Sequence, residues 1–242
     1  MRKGIYILPN LLTVGGMFFG FYSIIASIKG DFEHAAWAIL TATIFDALDG
    51  WVARLTKTTS RFGLELDSLS DLVSFGVAPA VMFYIWALIP FKRWGWVGAF
   101  LFVACGALRL ARFNVQMTGS ERKWFTGLPI PGGAAVLATT VIFYNDTFGN
   151  VAPDRNFVLL VMTYVTAILM ISTVKFHSLK ELNVRDRRPF WMLLVAVVIL
   201  VAVALDPPVV LFGITIFYVF WALIEFILTF RNRRVKIRPN GQ

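Results

Sequence analysis

Four aspartates set in apolar sequence, Asp46, Asp49, Asp67 and Asp71, are the residues of this chain most able to do chemistry. They lie in FDALDGWVARLTKTTSRFGLELDSLSD, residues 45–71, with the spacing Asp-x2-Asp-Gly-x2-Ala-Arg-x8-Gly-x3-Asp-x3-Asp. A carboxylate at membrane depth costs roughly 2.5–3.5 kcal/mol on insertion scales, so four together call for a compensating cation. On a helix Asp46 and Asp49 share a face, with Cβ atoms about 5–6 Å apart. Gly50 and Ala53 continue that face and leave room for a ligand or a neighbouring backbone. Asp67 and Asp71 are four apart on the next helix, and Ser70 and Ser74 extend their polar stripe. If residues 55–66 turn the chain back, the two acidic pairs face each other. Carboxylate oxygens so gathered form a hard-donor cage suited to Mg²⁺ or Mn²⁺. Two ions about 3.5–4 Å apart could clamp a diphosphate and stabilise its leaving oxygen. Arg54, one turn further on, can grip phosphate oxygens with two N–H groups. Ser60 and Arg61 add donors in the expected loop, and Gly63 permits close approach of a planar nucleotide.

The elements that must carry these residues are membrane helices. Of the 242 residues 58% are hydrophobic and 15% charged, where a soluble domain is nearer a quarter charged. The apolar residues fall into eight blocks, near 11–29, 34–54, 69–90, 94–113, 131–145, 157–174, 190–205 and 208–230. Backbone groups in lipid must bond internally, so these blocks are helices and the chain is an all-α, polytopic membrane protein of about eight spans. The net charge of +9 reads as the positive-inside bias and not as a nucleic-acid surface, because the basic residues cluster between spans. With the N-terminus inside, 19 of the 23 Lys and Arg residues fall in the inner links and tail and four in the outer links. That split predicts that both termini, and the aspartates at the inner ends of the second and third helices, are cytoplasmic, in a plasma (inner) membrane. Met1-Arg-Lys leads into the first span without a small-residue cleavage pattern, so no cleavable signal peptide is expected. The single cysteine, Cys105, excludes an intramolecular disulfide and reads as core packing.

The string from Asp46 to Asp71 resembles the signature of the CDP-alcohol phosphatidyltransferases at every fixed position. The resemblance covers roughly residues 8–175. It implies a six-helix core over 1–175, usually a homodimer, with residues 176–242 adding two transmembrane helices and a basic tail. It further implies that Asp46, Asp49, Asp67 and Asp71 bind two divalent cations, and that Asp71 is also the general base. Gly50, Ala53, Arg54, Ser60 and Gly63 would hold the CDP portion of the lipid donor. Pro9-Asn10-Leu11-Leu12-Thr13 is similar to the family's entry to helix one, which places Asn10 and Thr13 near the nucleotide.

Two further strings, Leu108–Asn114 and Phe125–Pro131, look like those of the phosphatidylserine synthases, with Gly132-Gly133 in place of an alanine-rich continuation. That branch implies CDP-diacylglycerol and L-serine as substrates. Arg109 and Arg112 share a helix face by spacing, level with the aspartates, and could bind the serine carboxylate or the lipid phosphate; the bland alternative is positive-inside anchoring. A same-family enzyme using glycerol 3-phosphate or an inositol phosphate is the nearest rival, and a divalent-cation transporter a distant one. Arg231–Arg238 reads as a lipid-headgroup anchor. His34 and His177 read as non-catalytic residues at helix ends, Trp94, Trp96 and Trp191 as interfacial contacts, and Gly15, Gly16 and Gly20 as sites of close helix packing.

Overall fold

The computed structural model describes residues 7–56, 60–117, 127–149, 152–172 and 189–236. Among the described residues there are eight helices: α1 (Ile7–Ile28), α2 (Phe32–Thr56), α3 (Arg61–Phe91), α4 (Arg93–Met117), α5 (Ile130–Phe148), α6 (Phe157–Ile171), α7 (Pro189–Leu205) and α8 (Pro207–Lys236). Four of them, α1 to α4, are long and apolar enough to cross a bilayer, and shorter apolar stretches lie in α6 and α8. The chain is a polytopic helical membrane protein, and each apolar block of the sequence lies on one helix. His177, and much of the link between α6 and α7, fall outside the described residues.

The expected turn between the acidic pairs is shorter than residues 55–66. Helix α2 runs on to Thr56, and α3 starts at Arg61, capped by Ser60, whose hydroxyl oxygen accepts the Gly63 N–H at 3.0 Å. An apolar-run reading misses this start because the first turns of α3 are amphipathic, with Arg61 and Glu65 exposed. Arg61 is therefore a helical residue and not a loop donor.

Helix α3 is irregular. Immediately after Asp71 it widens into a π-helical turn, Leu72–Val77, and it does so again over Tyr84–Leu88 before a 3₁₀ turn at Ile89–Phe91. The first wide turn ends where the Ala78 N–H reaches the Val73 carbonyl. Pro79 follows, a residue with no N–H to continue the ordinary ladder.

Close approach of α1 to α2 and α3 depends on the glycines of α1. A Cβ on Gly20 would overlap Ser74 of α3, and one on Gly15 would stand 2.9 Å from the Phe45 ring of α2. The Ser70 and Ser74 hydroxyls donate to the carbonyls of Thr13 and Gly16 at 3.0 and 3.2 Å, which fixes α3 against α1 through bonds that lipid cannot replace. Fully buried Phe75, Phe83 and Trp86 of α3, Ile39 of α2, Phe102 of α4, Leu137 of α5 and Met170 of α6 form the core. Cys105 is buried in the same core. Trp94 and Trp96 are exposed at the start of α4. His34 is paired with Asp31 at 2.8 Å, in the turn where the Asp31 carboxylate also accepts the His34 backbone N–H.

Candidate active site

The four aspartates meet because α2 and α3 are antiparallel neighbours joined by a four-residue link, each presenting its acidic pair on the face turned toward the other. All four line one small cleft, together with Thr13 and Gly16 of α1, Ala42 of α2, and Ser70, Ser74 and Phe75 of α3. Carboxylate oxygens of Asp46, Asp49 and Asp67 all lie within 4.8 Å of one another. The Asp71 carboxyl stands against that of Asp46 and in the field of Asp67. Among the described residues none of the four is in an ion pair with a lysine or arginine.

A carboxylate cluster so placed is self-repelling in a low-dielectric setting unless a cation joins it. The donor set fits a hard divalent ion. Oxygens ligating one Mg²⁺ sit 2.0–2.1 Å from it and so up to about 4.2 Å apart, within a small contraction of the separation here. The enclosed space among the carboxylates is far too small for a drug-sized ligand and suits small ions.

Asp49 is only 6% exposed, and its carboxylate is held from behind. The Thr13 hydroxyl donates to Asp49 Oδ2 at 2.7 Å and lies 3.1 Å from the Pro9 carbonyl. One proton cannot serve both well, and the shorter bond to the charged oxygen is the stronger. Asn10 lies one turn before Thr13 on α1. A Cβ on Gly63 would stand 3.2 Å from both Asn10 Oδ1 and Ser60 Oγ, so these three residues converge. On α2, a Cβ on Gly50 would stand 3.4 Å from the Arg54 guanidinium, which is exposed, and Ala53 is half-buried beside it.

The CDP-alcohol phosphatidyltransferase family model matches residues 6–174. The chain belongs to the CDP-alcohol phosphatidyltransferase family. This transferase is 37% identical over 179 residues, 74% of its own length and 75% of the relative's, to the CDP-diacylglycerol–serine O-phosphatidyltransferase of Helicobacter pylori strain 26695. It is 39% identical over 173 residues to the archaetidylserine synthase of Methanothermobacter thermautotrophicus, covering 70% and 69% of the two chains. Against the CDP-diacylglycerol–serine O-phosphatidyltransferase of Mycobacterium tuberculosis strain H37Rv it is 32% identical over 226 residues, 90% and 78% of the two chains.

In the transferase the two arginines of α4, paired by spacing, part company. Arg109 is half-buried, within electrostatic reach of Asp71, and its Nε is buried without a hydrogen-bond partner. Arg112 is exposed. Two supporting contacts have no counterpart in the sequence reading. One is the Thr13–Asp49 bond. The other joins Ser68, next to Asp67, to Asn114 of α4, whose Nδ2 donates to the serine oxygen at 3.0 Å. Spacing could not have paired them, because the partners lie 36 and 46 residues apart. The second distinctive string is partly described. Gly127 adopts φ +92° and packs on the Met170 carbonyl, and Leu128 N–H donates to the Leu169 carbonyl at 3.0 Å. Phe125 and Thr126 lie outside the described residues.

Proposed function

We propose that the chain transfers the phosphatidyl group of CDP-diacylglycerol to the hydroxyl of L-serine, giving phosphatidylserine and CMP. The observation that carries the choice of acceptor is the similarity to relatives named as serine transferases over about three quarters of the chain. The chemistry rests on the cleft lined by all four aspartates. Asp46, Asp49, Asp67 and Asp71 would hold two Mg²⁺ or Mn²⁺ ions. When bound, these neutralise charge on the diphosphate, the dominant need in phosphoryl-type transfer.

The remaining work falls to the chain's own side chains. Asp71 takes the proton of the serine hydroxyl and later yields it to water. The serine oxygen bonds to the lipid-bearing phosphorus as the bond from that phosphorus to the CMP oxygen breaks, and CMP leaves. Asn10, Thr13, Gly50, Ala53, Arg54, Ser60 and Gly63 form the CDP side of the site. Thr13 acts there by fixing Asp49. Arg109, half-buried and within electrostatic reach of Asp71, is the better placed of the two arginines to meet an anionic oxygen of a substrate. Arg112, exposed, fits a surface anchor.

The positive-inside distribution supports a cytoplasmic active site with both termini on that side, in the plasma (inner) membrane. A water-soluble acceptor could then meet a lipid-bound donor at the interface. Residues 1–175 form the transferase core of a homodimer, and 176–242 an appended helix pair and basic tail.

A single acceptor panel tests the reading. Purified protein with Mg²⁺ or Mn²⁺ and CDP-diacylglycerol is offered serine, glycerol 3-phosphate, inositol or inositol phosphate, and CMP release is measured. Serine-dependent CMP is expected, and its absence alongside turnover of another acceptor would replace serine with that acceptor.

A further inference from the structure

The family match ends at residue 174, yet α8 is built into the body of the protein. Phe212 stacks on Phe143 of α5 with ring centroids 4.5 Å apart and planes 8° from parallel. The hydroxyls of Thr215 and Thr139 are 2.8 Å apart, and Val219 is 8% exposed. Residues 212, 215 and 219 lie on one face of α8, so the helix is seated on α5 along two turns by apolar contact and by a hydrogen bond that lipid could not supply.

That seating brings Tyr218 to the inner end of the bundle. Its ring meets α5 where glycine replaces a side chain: a Cβ on Gly132 would stand 3.5 Å from Tyr218 Cε1. Two residues earlier, Ile130 packs against Gly106 of α4, one turn before Arg109. Arg109 therefore sits one turn from the α4–α5 contact beside which the Tyr218 ring packs, with Asp71 of α3 and the Tyr218 phenol both in electrostatic range of its guanidinium. Its buried Nε makes no hydrogen bond. A guanidinium has five N–H donors and no acceptor, and burying one with donors unmet is costly unless an anionic ligand completes it.

We propose that Tyr218 is a positioning residue, through which α8 holds Arg109 toward Asp71 so that its guanidinium is offered to a substrate oxyanion. The oxyanion is a carboxylate or a phosphate oxygen, and the two come from different substrates, the acceptor amino acid and the CDP-lipid. Helix α8 is therefore part of the active site and not only a membrane anchor. This inference rests on the proposed transferase reaction.

The test is a double-mutant cycle of Tyr218→Leu and Arg109→Lys in the full chain, with Tyr218→Phe as the variant that keeps the ring. The KM values for serine and for CDP-diacylglycerol are measured separately by CMP release, and thermal unfolding in detergent is followed in parallel. Tyr218→Leu is expected to raise one KM about tenfold with little change in kcat, the size seen when one member of a contacting pair is removed. A rise in the serine KM assigns the oxyanion to the acceptor carboxylate, and a rise in the CDP-lipid KM assigns it to the phosphate. Tyr218→Phe should fall between wild type and Tyr218→Leu. In the Arg109→Lys background Tyr218→Leu should add little. Independent, multiplicative effects, or a loss of kcat that tracks thermal stability in both Tyr218 variants, would overturn the proposal. If the wild type releases CMP only with another acceptor, the serine reading fails, and the same cycle run with that acceptor still decides the role of Tyr218.

Discussion

Replacing Thr13 with valine removes one hydroxyl and keeps the branched shape, so it isolates the bond from Thr13 to Asp49 Oδ2, 2.7 Å long and buried. A hydrogen bond to a charged group contributes about 1.5–3 kcal/mol, and a buried acceptor stripped of its donor loses a comparable amount. At 1.36 kcal/mol per factor of ten this is roughly a 10- to 150-fold change in any equilibrium that needs Asp49 in its present pose. The equilibrium that needs it is metal binding. Loss of a partner behind a metal ligand typically weakens affinity about 10–100-fold, so two independent estimates agree. The assay is CMP release against Mg²⁺ or Mn²⁺ concentration in detergent or proteoliposomes. The midpoint for Thr13→Val should move up by one to two decades while kcat at saturating metal stays within a few-fold of wild type. Thr13→Ser should restore the midpoint, because its hydroxyl can make the same bond. A Thr13→Val midpoint equal to that of wild type would refute the idea that Thr13 serves the site through Asp49. A fall in kcat and a rise in CDP-lipid KM at saturating metal would instead indicate direct nucleotide contact.

Asp71→Asn should lower turnover by about 10²–10⁴-fold while CDP-diacylglycerol still binds, and equal loss of binding and turnover would argue against its role as base. Arg109→Ala should raise a substrate KM while Arg112→Ala leaves both substrate KM values near those of wild type; equal effects would mean that their different exposure has no functional consequence. Gly20→Ala places a methyl into Ser74 of α3, and overpacking of this kind costs about 1–3 kcal/mol. A lowered thermal midpoint in detergent is expected, and an unchanged one would show that α1 can shift without penalty. Chelation should abolish CMP release reversibly, with recovery on adding Mg²⁺ or Mn²⁺, and activity that survives thorough chelation would remove the metals from the reading.

Much of this molecule was legible from spacing because lipid enforces it. Each apolar block became a helix, and Asp46 with Asp49, like Asp67 with Asp71, came to one cleft as helical periodicity requires. The start of α3 was not legible from the apolar run. Its first turns are amphipathic, and the cap at Ser60 is a local polar signal. The division of labour between Arg109 and Arg112 was hidden as well: spacing puts them on one side of a helix, but only the packing of α4 against α3 and α5 decides which is enclosed. Thr13 was read as a nucleotide neighbour, and its bond to Asp49 depends on how closely α1 approaches α2. That approach is set by glycines of α1 that read from the sequence as sites of close packing, but their partner on α2, Phe45, is visible only in three dimensions.

The wide turn of α3 that follows Asp71 has a consequence for insertions and deletions. A π turn carries one residue more than the α turn it replaces, and so takes up that residue without rotating the segments on either side; in a regular α-helix the same residue would turn one segment by about 100° relative to the other. Closing the turn over Leu72–Val77 to an α-helix at unchanged length would therefore swing the half of α3 that carries Phe83 and Trp86 out of the core. Losing one residue from the turn would let it close with both halves still in phase. The wide turn thus works as a phase coupler between two segments of one helix. A single-residue deletion in this stretch should be better tolerated than the same deletion in the regular turns on either side.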